Sequence, residues 1–427
     1  MRFCMMTTFY PPYSFGGDGI FVHRLANLLA RSGHEVDVIH CIDSYLSLAK
    51  IPLPVEEKTE PGVTVHRLKS GAGILSPMAT HVTGRPFFKA SKIRAILSAK
   101  RFDVIHFHNI SLLGGPKLLE YGEGIKIYTL HEYWLICPTH VLFKFNREVC
   151  VEKDCLRCQL HYGRPPQLWR YTGMLKKALR HVDVFIAPSH FARTQHLQEG
   201  LSMPIIRLPN FSTNGQQKPS SAFSKGRLPS RPFFLFAGRL EKLKGLQTVL
   251  PLFKTYDKAD LVVAGDGNYA SELKRLAAGC ERIHFLGHLS QSQLQEVYPQ
   301  AIALIVPSLW FENFPLVITE AYAAGIPVIT REIGPLKELM EESQGGLCFR
   351  DEKELCDQME KIQMDNTLRE KLIRSGYQAF CRRYSEKAYL EHYMRLIEET
   401  ARRKYGATVP DPKKEFSSDR QPIVFAK

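Results

Sequence analysis

Two glutamates with seven residues between them are the first side chains whose types and spacing could do chemistry. They are Glu312 and Glu320 in the stretch Phe311-Glu-Asn-Phe-Pro-Leu-Val-Ile-Thr-Glu320, which follows a predicted strand and opens a predicted helix near Pro315. Free backbone N–H groups at a helix start can hold a phosphate, and carboxylates accept strong hydrogen bonds from sugar hydroxyls. Taken alone, the pair fits an ordinary strand–helix unit with two surface glutamates better.

A basic loop forms the second group. In Phe236-Ala-Gly-Arg-Leu-Glu-Lys-Leu-Lys-Gly245, Gly238 ends a predicted strand, and Arg239 and Lys244 follow it. An arginine together with a lysine can stabilise the negative charge that develops on a diphosphate leaving group. The alternative is a solvated basic loop without a ligand.

Paired glycines form the third group, because Gly16 and Gly17 stand between a predicted strand and a predicted helix. Glycines at this position allow a ligand to approach the backbone closely. The pattern is not G-x-G-x-x-G, so it does not indicate a dinucleotide site.

The elements that must position these groups alternate between strand and helix, which indicates parallel sheets covered by helices. The 427 residues are 44% hydrophobic, and this length suggests two domains. In the first half we predict strands at 2–8, 35–40, 63–68, 104–108, 126–131 and 184–187, and helices at 18–32, 89–99, 116–121, 166–181 and 189–198. In the second half we predict strands at 233–237, 261–264, 283–286, 303–306 and 327–330, and helices at 352–364, 368–383 and 386–403.

Domain boundaries follow from the places where this alternation breaks. We predict a first Rossmann-like domain at 1–212 with a cysteine-rich loop at 137–158, a polar linker at 213–231, and a second Rossmann-like domain at 232–384. A final helix at 385–404 is predicted to return to the first domain, and the polar tail 405–427 to be disordered. Doubly wound sheets bind ligands outside the carboxyl ends of their strands, where all three groups stand.

The formal net charge of +14 fits anionic substrates, an anionic membrane surface or an ordinary solvated surface, and no nucleic-acid-binding motif accompanies it. We therefore predict no nucleic-acid partner. The sequence has no run of eighteen apolar residues, so we predict no membrane span. The short apolar N-terminus lacks a signal-peptide cleavage site, so we expect a cytoplasmic protein with reduced thiols.

The three groups, together with further short motifs in a fixed order, resemble glycosyltransferase family 4, whose members are retaining enzymes of the GT-B fold. The resemblance implies two doubly wound domains that face a cleft, the acceptor on the first and a nucleotide sugar on the second. The matching pieces run from residue 1 to about residue 403: Pro11-Pro12 with Gly16-Gly17, Asp103-Val-Ile-His-Phe-His-Asn109, Leu130-His-Glu132, Asp183-Val-Phe-Ile-Ala-Pro-Ser189, Leu208-Pro-Asn210, Gly238-Arg239 with Lys244-Gly245, Ala264-Gly-Asp-Gly267, and Glu312 with Glu320.

The resemblance also implies residue roles. Glu312 contacts the hydroxyls of the donor sugar, Glu320 binds the ribose, and Arg239 with Lys244 holds the diphosphate. His131 matches a histidine that faces the donor sugar, although without the family it is better taken as a buried histidine at a strand end. The remaining donor-binding positions implied are Gly16, Gly17, Asn313, Phe314, Pro315 and Leu316. The family often has Glu-Gly-Phe-Gly here, and Pro315 removes one backbone donor.

The implied reaction needs no cofactor. A nucleoside diphosphate leaves the anomeric carbon, and an acceptor hydroxyl attacks that carbon on the face from which the diphosphate departs. The chain has no Asp-x-Asp pair, so we expect no catalytic metal, and Arg239 and Lys244 take over its electrostatic work. The acceptor is a glycan, a lipid-linked molecule or a small molecule. Alternatives on the same fold are a sugar-nucleotide epimerase, a phosphorylase-like enzyme and a non-catalytic scaffold.

Peripheral membrane contact is a further hypothesis. Residues 166–180 mix aromatic and basic side chains, as helices on anionic membranes do, namely Trp169, Arg170, Tyr171, Leu175, Lys176, Lys177 and Arg180. A helix packed on the first sheet with a charged outer face is the favoured alternative.

Four cysteines stand close together at Cys137, Cys150, Cys155 and Cys158. One C-x-x-C pair with two further thiolates suits a structural zinc ion, and His140 and His161 are spare ligand candidates. Unmetallated thiols, disulfides and an iron–sulfur cluster stay open as alternatives. We expect this loop to lie beside His131 and to shape the acceptor pocket.

Overall fold

Two parallel sheets dominate the structure, a computed structural model that describes residues 1–49, 59–213 and 228–406. Most of the predicted linker and nearly all of the predicted disordered tail lie outside the described residues. The strands are β1 Arg2–Met6, β2 Glu35–Cys41, β3 Val63–Leu68, β4 Val104–Phe107, β5 Ile125–Thr129, β6 Phe143–Lys144, β7 Glu148–Val149, β8 Val184–Ala187, β9 Ile205–Arg207, β10 Phe233–Ala237, β11 Asp260–Ala264, β12 Ile283–Gly287, β13 Leu304–Val306, β14 Val328–Arg331 and β15 Gly346–Phe349.

Helices cover the sheets. They are α1 Gly17–Arg31, α2 Ile42–Leu48, α3 Leu75–Thr83, α4 Ala90–Ala99, α5 Cys155–His161, α6 Met174–Leu179, α7 His190–Gln198, α8 Ala270–Ala277, α9 Gln291–Val297, α10 Leu316–Ala323, α11 Gly334–Ser343, α12 Glu352–Met364, α13 Asn366–Ala379 and α14 Glu386–Tyr405. Among the described helices, none is both long and apolar enough to cross a membrane.

Every predicted strand is present, and the sheets are parallel as predicted. The first sheet has the order β3-β2-β1-β4-β5-β8-β9, and the second has the order β12-β11-β10-β13-β14-β15. The central strands are short apolar runs that are buried along nearly their whole length, as strands covered by helices on both faces must be. The edge strands β9 and β15 and the hairpin β6–β7 were not predicted from the sequence.

The strand order reverses once in each sheet, between β1 and β4 and between β10 and β13. A crevice opens at such a switch point, because the connections on its two sides leave in opposite directions. The loops that follow these four strands therefore edge the ligand-binding side of each sheet. They carry the glycine pair, His108, the basic loop and Glu312.

The predicted helix at 166–181 is wrong. The segment is divided into a 3-10 turn at Leu168–Tyr171 and α6, with Gly173 in the left-handed conformation between them at φ 72°. Buried hydrogen bonds fix the first piece, because Trp169 Nε1 donates to the carbonyl of His81 at 2.9 Å. Two other predicted helices also differ: 116–121 is a 3-10 helix at Pro116–Glu120, and 368–383 ends in a π-helical turn at Phe380–Tyr384.

The last helix, α14, packs on the first sheet although the second sheet precedes it in sequence. Tyr389, Tyr393 and Ile397 are buried against side chains of β1, β4 and β5. The Tyr393 hydroxyl lies 2.8 Å from His106 Nδ1, which places a polar contact inside this apolar interface. The chain therefore crosses between the domains twice.

Replacing Ile397 by alanine should destabilise the protein by about 2–5 kcal/mol, because it leaves a cavity between α14 and the first sheet. Urea unfolding followed by circular dichroism measures this loss. Glu398→Ala, an exposed neighbour on the same helix, is the matched control and should change the free energy of unfolding little. Equal effects in the two variants would contradict the packing of α14.

Candidate functional site

A salt bridge between Lys244 and Glu312 occupies the switch point of the second sheet. Lys244 Nζ donates to Glu312 Oε1 at 2.6 Å, and Ser308 Oγ donates to the same oxygen at 2.6 Å. Only 5% of Glu312 is exposed, so its negative charge depends on these two donors. The two residues predicted to bind the donor sugar and the diphosphate are thus in direct contact.

The backbone fixes this contact. Gly245 has φ 76°, and a Cβ there would lie 2.0 Å from the carbonyl oxygen of Pro307, so a larger residue could not pack at this position. Leu309 N also donates to the carbonyl of Leu243 at 2.8 Å. The loop after β10 is therefore held against the loop after β13, and Lys244 is delivered to Glu312.

Arg239 does not share this contact. Its guanidinium donates to Glu241 at 2.8 Å, and 46% of its side chain is exposed. The predicted arginine–lysine clamp is therefore divided in this structure, with Lys244 on Glu312 and Arg239 on Glu241. Because Arg239 lies at the surface, its pairing costs little to exchange for a ligand.

Glu320 forms a buried ion pair with a residue that the sequence analysis missed. Arg24 Nη2 donates to Glu320 Oε1 at 2.6 Å, and the Tyr298 hydroxyl donates to Glu320 Oε2 at 3.2 Å. The side chains of Arg24 and Glu320 are 6% and 12% exposed. The pair links α1 of the first sheet to α10 of the second. In the sequence, Arg24 is a charged residue within the apolar face of α1, and this position could have indicated a buried ion pair.

Arg24 retains unused donors. Its Nε and Nη1 are buried and have no hydrogen-bond partner among the described residues. Buried donors without partners are uncommon in proteins, and a guanidinium suits a planar or anionic acceptor. Arg24 is therefore a candidate for ligand contact in addition to its role in holding Glu320.

The loop that carries Gly16 and Gly17, called the glycine loop below, faces the start of α10. A Cβ on Gly17 would lie 3.6 Å from Leu316 Cδ1, so the amino ends of α1 and α10 are close across the cleft. Pro315 is the N-cap of α10 and not its first helical residue, which differs by one position from the prediction. Phe314 packs against Tyr384, and the centroids of the two rings lie 5.7 Å apart. Gly16 is the N-cap of α1.

His131 lies two residues beyond β5, as expected, within a stack of histidines. His108 Nδ1 lies 2.9 Å from His131 Nε2, and the ring of Phe21 lies 5.0 Å from the His131 ring. Burial lowers the pKa of His131 to about 4, although Asp18 acts in the opposite direction. At neutral pH His131 therefore offers a neutral imidazole, which can hydrogen-bond a sugar without adding charge.

Further contacts close the cleft. The Asn313 side-chain amide donates to the carbonyl of Leu130 at 3.1 Å, and the rings of Phe191 and Phe311 lie 4.5 Å apart. Glu338 accepts from the backbone N–H groups of residues 190 and 191, at 2.6 and 2.8 Å, so it supports the amino end of α7 from the other domain. These contacts join the two sheets around Glu312 and Glu320.

A cluster of potential metal ligands lies on this interface, but Arg207 already forms ion pairs with its carboxylates. Ligand atoms of His190, Glu338 and Glu342 lie within 4.8 Å of one another. The Arg207 guanidinium donates to Glu342 and lies 3.4 Å from Glu338. The group is therefore an interdomain ion-pair network, and its charge is balanced by an arginine.

The four cysteines belong to the loop that follows His131 in sequence. They line one small cavity of about 20 Å³. The loop is joined to the cleft through His140, whose Nδ1 lies 2.7 Å from Glu132 Oε2. A larger depression of about 320 Å³, lined by Arg2, Glu35 and Asp103 among others, is at the opposite, amino ends of the strands, where this fold does not place its ligands.

Comparison with known families divides the chain as the two sheets do. Residues 15–211 match the model described as Glycosyltransferase Family 4, and residues 217–379 match the model described as Glycosyl transferases group 1. The chain is 24% identical over 407 residues to the phosphatidyl-myo-inositol mannosyltransferase of Mycobacterium leprae, which covers 91% of this chain and 96% of the relative.

Solved structures share the architecture. Sucrose-phosphate synthase from Thermosynechococcus elongatus superposes with a TM-score of 0.71 at 19% identity, covering 93% of this chain and 98% of that one. The Anabaena protein Alr3699/HepE in complex with UDP superposes with a TM-score of 0.63 at 18% identity, covering 93% and 99%. At these identities the likeness establishes the fold, which is GT-B.

Acid should destabilise the protein between pH 6.5 and about 4 through His131. In this window the unfolded chain has bound a proton at this residue and the folded chain has not, so the free energy of unfolding falls as the pH is lowered. The slope is up to about 1.4 kcal/mol per pH unit for one histidine.

Urea unfolding across this pH range should show a shallower dependence for His131→Gln than for the wild type. The exposed His392→Gln on α14 is the control and should keep the wild-type slope. The same slope in all three proteins would show that His131 is not held neutral in the folded chain.

Proposed function

Because this chain belongs to the GT-B glycosyltransferases of the family 4 type, we propose that it transfers a sugar from a nucleoside-diphosphate donor to an acceptor hydroxyl with retention of anomeric configuration. The observation that carries the proposal is the buried Lys244–Glu312 contact at the switch point of the second sheet. A protein of the same fold has been solved with UDP, which supports a nucleoside-diphosphate donor.

Donor binding would exchange existing ion pairs for ligand contacts. The diphosphate competes for Lys244, and Glu312 is then free to accept hydrogen bonds from sugar hydroxyls. Glu320 has two carboxylate oxygens, each with one partner, and further lone pairs that can accept from ribose hydroxyls. Arg239 can turn from Glu241 towards the phosphates because it lies at the surface.

Charge stabilisation of the leaving group would come from the protein itself. Lys244, Arg239 and the amino end of α10 supply positive potential where the diphosphate develops charge. The bond from the anomeric carbon to the phosphate oxygen breaks, and the acceptor oxygen bonds to that carbon on the same face. The acceptor proton passes to the departing phosphate oxygen, so the step balances without a further base.

The test of this function is a screen of nucleotide sugars by thermal shift, followed by transfer assays without added divalent metal. NMR of the product should show the same anomeric configuration as the donor. An inverted product would contradict the retaining mechanism. Release of nucleotide with an epimerised sugar, in the absence of an acceptor, would favour an epimerase.

Lys244→Ala should lower kcat about 100- to 1,000-fold, because it removes a cation from the leaving group. Lys242→Ala is the matched control, since Lys242 is an exposed lysine in the same turn, two residues away. Steady-state transfer rates measure the effect, and circular dichroism checks that both variants are folded. Similar rates for the two variants would remove Lys244 from the catalytic site.

We also propose that the first domain meets its acceptor at an anionic membrane surface. Residues 61–102 contain no aspartate or glutamate and eight lysines and arginines. Most large apolar side chains that are exposed among the described residues belong to neighbouring elements of this domain: Leu46, Leu48, Ile74, Leu75, Met78, Phe87, Phe88, Leu168 and Tyr171. Exposed apolar side chains flanked by cations suit anionic lipid.

The surface differs from the amphipathic helix considered from the sequence. Trp169 is buried, and Arg170 donates to the carbonyl of Leu135 at 3.1 Å, so these two residues serve packing. Phe87 and Phe88, which are 62% and 44% exposed, contribute instead. Tyr45 joins this face to the glycine loop, because its ring stacks on Phe15 at 4.5 Å.

Co-sedimentation with vesicles containing phosphatidylglycerol should show binding that salt weakens. The double variant Phe87→Ser, Phe88→Ser should lose most of this binding, because it removes apolar side chains that enter the lipid. Tyr377→Ser, an exposed aromatic residue of the second domain, is the matched control and should bind like the wild type. Salt-insensitive binding, or equal binding by both variants, would contradict this surface.

A further inference from the structure

The four cysteines of the loop after β5 come from separate short elements that meet around one cavity. Cys137 follows the Tyr133–Trp134 segment, Cys150 follows β7, and Cys155 and Cys158 are on α5. The spacing of three residues puts Cys155 and Cys158 on the same face of that helix. Cysteines that are up to 21 positions apart in sequence are therefore neighbours in space.

The size and lining of this cavity suit a single ion. All four cysteine side chains line it, and its volume of about 20 Å³ is enough for one water-sized ligand. Phe145 N lies 3.5 Å from Cys158 Sγ, so a backbone N–H already points at one of the sulfurs, as it would at a thiolate.

The loop has little else to hold it. Its strands β6 and β7 are two residues each, and α5 has seven residues. Val151, Leu156 and Leu160 are 87%, 49% and 58% exposed, so apolar packing fixes only part of the loop. Four of its residues other than glycine have left-handed backbones, which the surrounding structure must enforce: His140, Leu142, Phe145 and Asn146.

We propose that Cys137, Cys150, Cys155 and Cys158 bind one Zn²⁺ as a tetrahedral thiolate site. Four thiolates are a ligand set that suits zinc, and the cavity wall also carries one cation, Lys144, and one carboxylate, Asp154. No three of the four cysteine sulfurs lie within 4.8 Å of one another, a separation that among the described residues is met by His190, Glu338 and Glu342 instead. The sulfurs must therefore move together to reach zinc–sulfur distances of about 2.3 Å.

This ion fixes the segment that carries His131. Cys137 N donates to the carbonyl of Tyr133 at 2.7 Å, and Tyr133 N donates to the carbonyl of His140 at 3.0 Å. His140 in turn contacts Glu132, the neighbour of His131. Anchoring Cys137 to an ion therefore anchors residues 131–140 on the first-domain side of the cleft. The site is structural, and its presence does not depend on which sugar is transferred.

Metal analysis of the purified full-length protein tests the proposal. Inductively coupled plasma mass spectrometry should find about one Zn²⁺ per chain in the wild type. Cys155→Ser should lose the metal, and Cys381→Ser, an exposed cysteine on the second domain, should keep it. Protein without zinc, zinc in Cys155→Ser, or a disulfide between two of the four cysteines would each overturn the site.

A conservative replacement separates metal binding from simple packing. Cys150→His should retain about one Zn²⁺ because imidazole is also a zinc ligand, whereas Cys150→Ser should not. Replacing the zinc by Co²⁺ should give thiolate-to-cobalt charge-transfer absorption and the visible bands of tetrahedral cobalt. Equal metal content in the two Cys150 variants, or octahedral cobalt bands, would contradict a four-ligand site. These readouts are independent of transferase activity, so they remain valid if the proposed reaction is wrong.

Discussion

The buried ion pair between Arg24 and Glu320 is the constraint on which the arrangement of the cleft depends. A buried carboxylate must be paired, and breaking such a pair costs about 3–5 kcal/mol. Arg24 is on the first sheet's helix α1, and Glu320 is on α10 of the second sheet. The requirement for charge balance thus holds the two domains together at the point where the ribose of a donor would bind, and it brings Gly17 against the start of α10.

The same requirement operates at Glu312, a second buried carboxylate, which Lys244 neutralises and to which Ser308 donates a hydrogen bond. Each of the two glutamates therefore already accepts hydrogen bonds from two donors. In the proposed reaction a donor enters by exchange, with its phosphates replacing Glu312 as the partner of Lys244 and its hydroxyls using lone pairs that Arg24 and Ser308 leave free. In the proposed reaction, the cations would be in place after this exchange and before the leaving group develops its charge.

Features outside the proposed donor site are concentrated on the first domain. The cysteine loop, the neutral histidine stack and the exposed apolar and basic surface all belong to it, and Tyr45 connects that surface to the glycine loop through Phe15. In contrast, the second domain carries the charges that suit a diphosphate. In the proposed function, the second sheet supplies the donor site, and the acceptor side depends on one long, weakly packed loop.

The sequence by itself determined both sheets and most of the candidate site, because apolar runs alternate with helices and the chemical groups follow strands. Parallel strands carry such loops to one edge, so the nearness of Lys244 to Glu312 follows from their positions after β10 and β13. Only the tertiary structure revealed Arg24 as the partner of Glu320, since 295 residues separate them and ion pairing depends on how the domains meet. It also decided that 166–181 is not one helix, because the hydrogen bonds of Trp169 and Arg170 to distant carbonyls outweigh local helical preference.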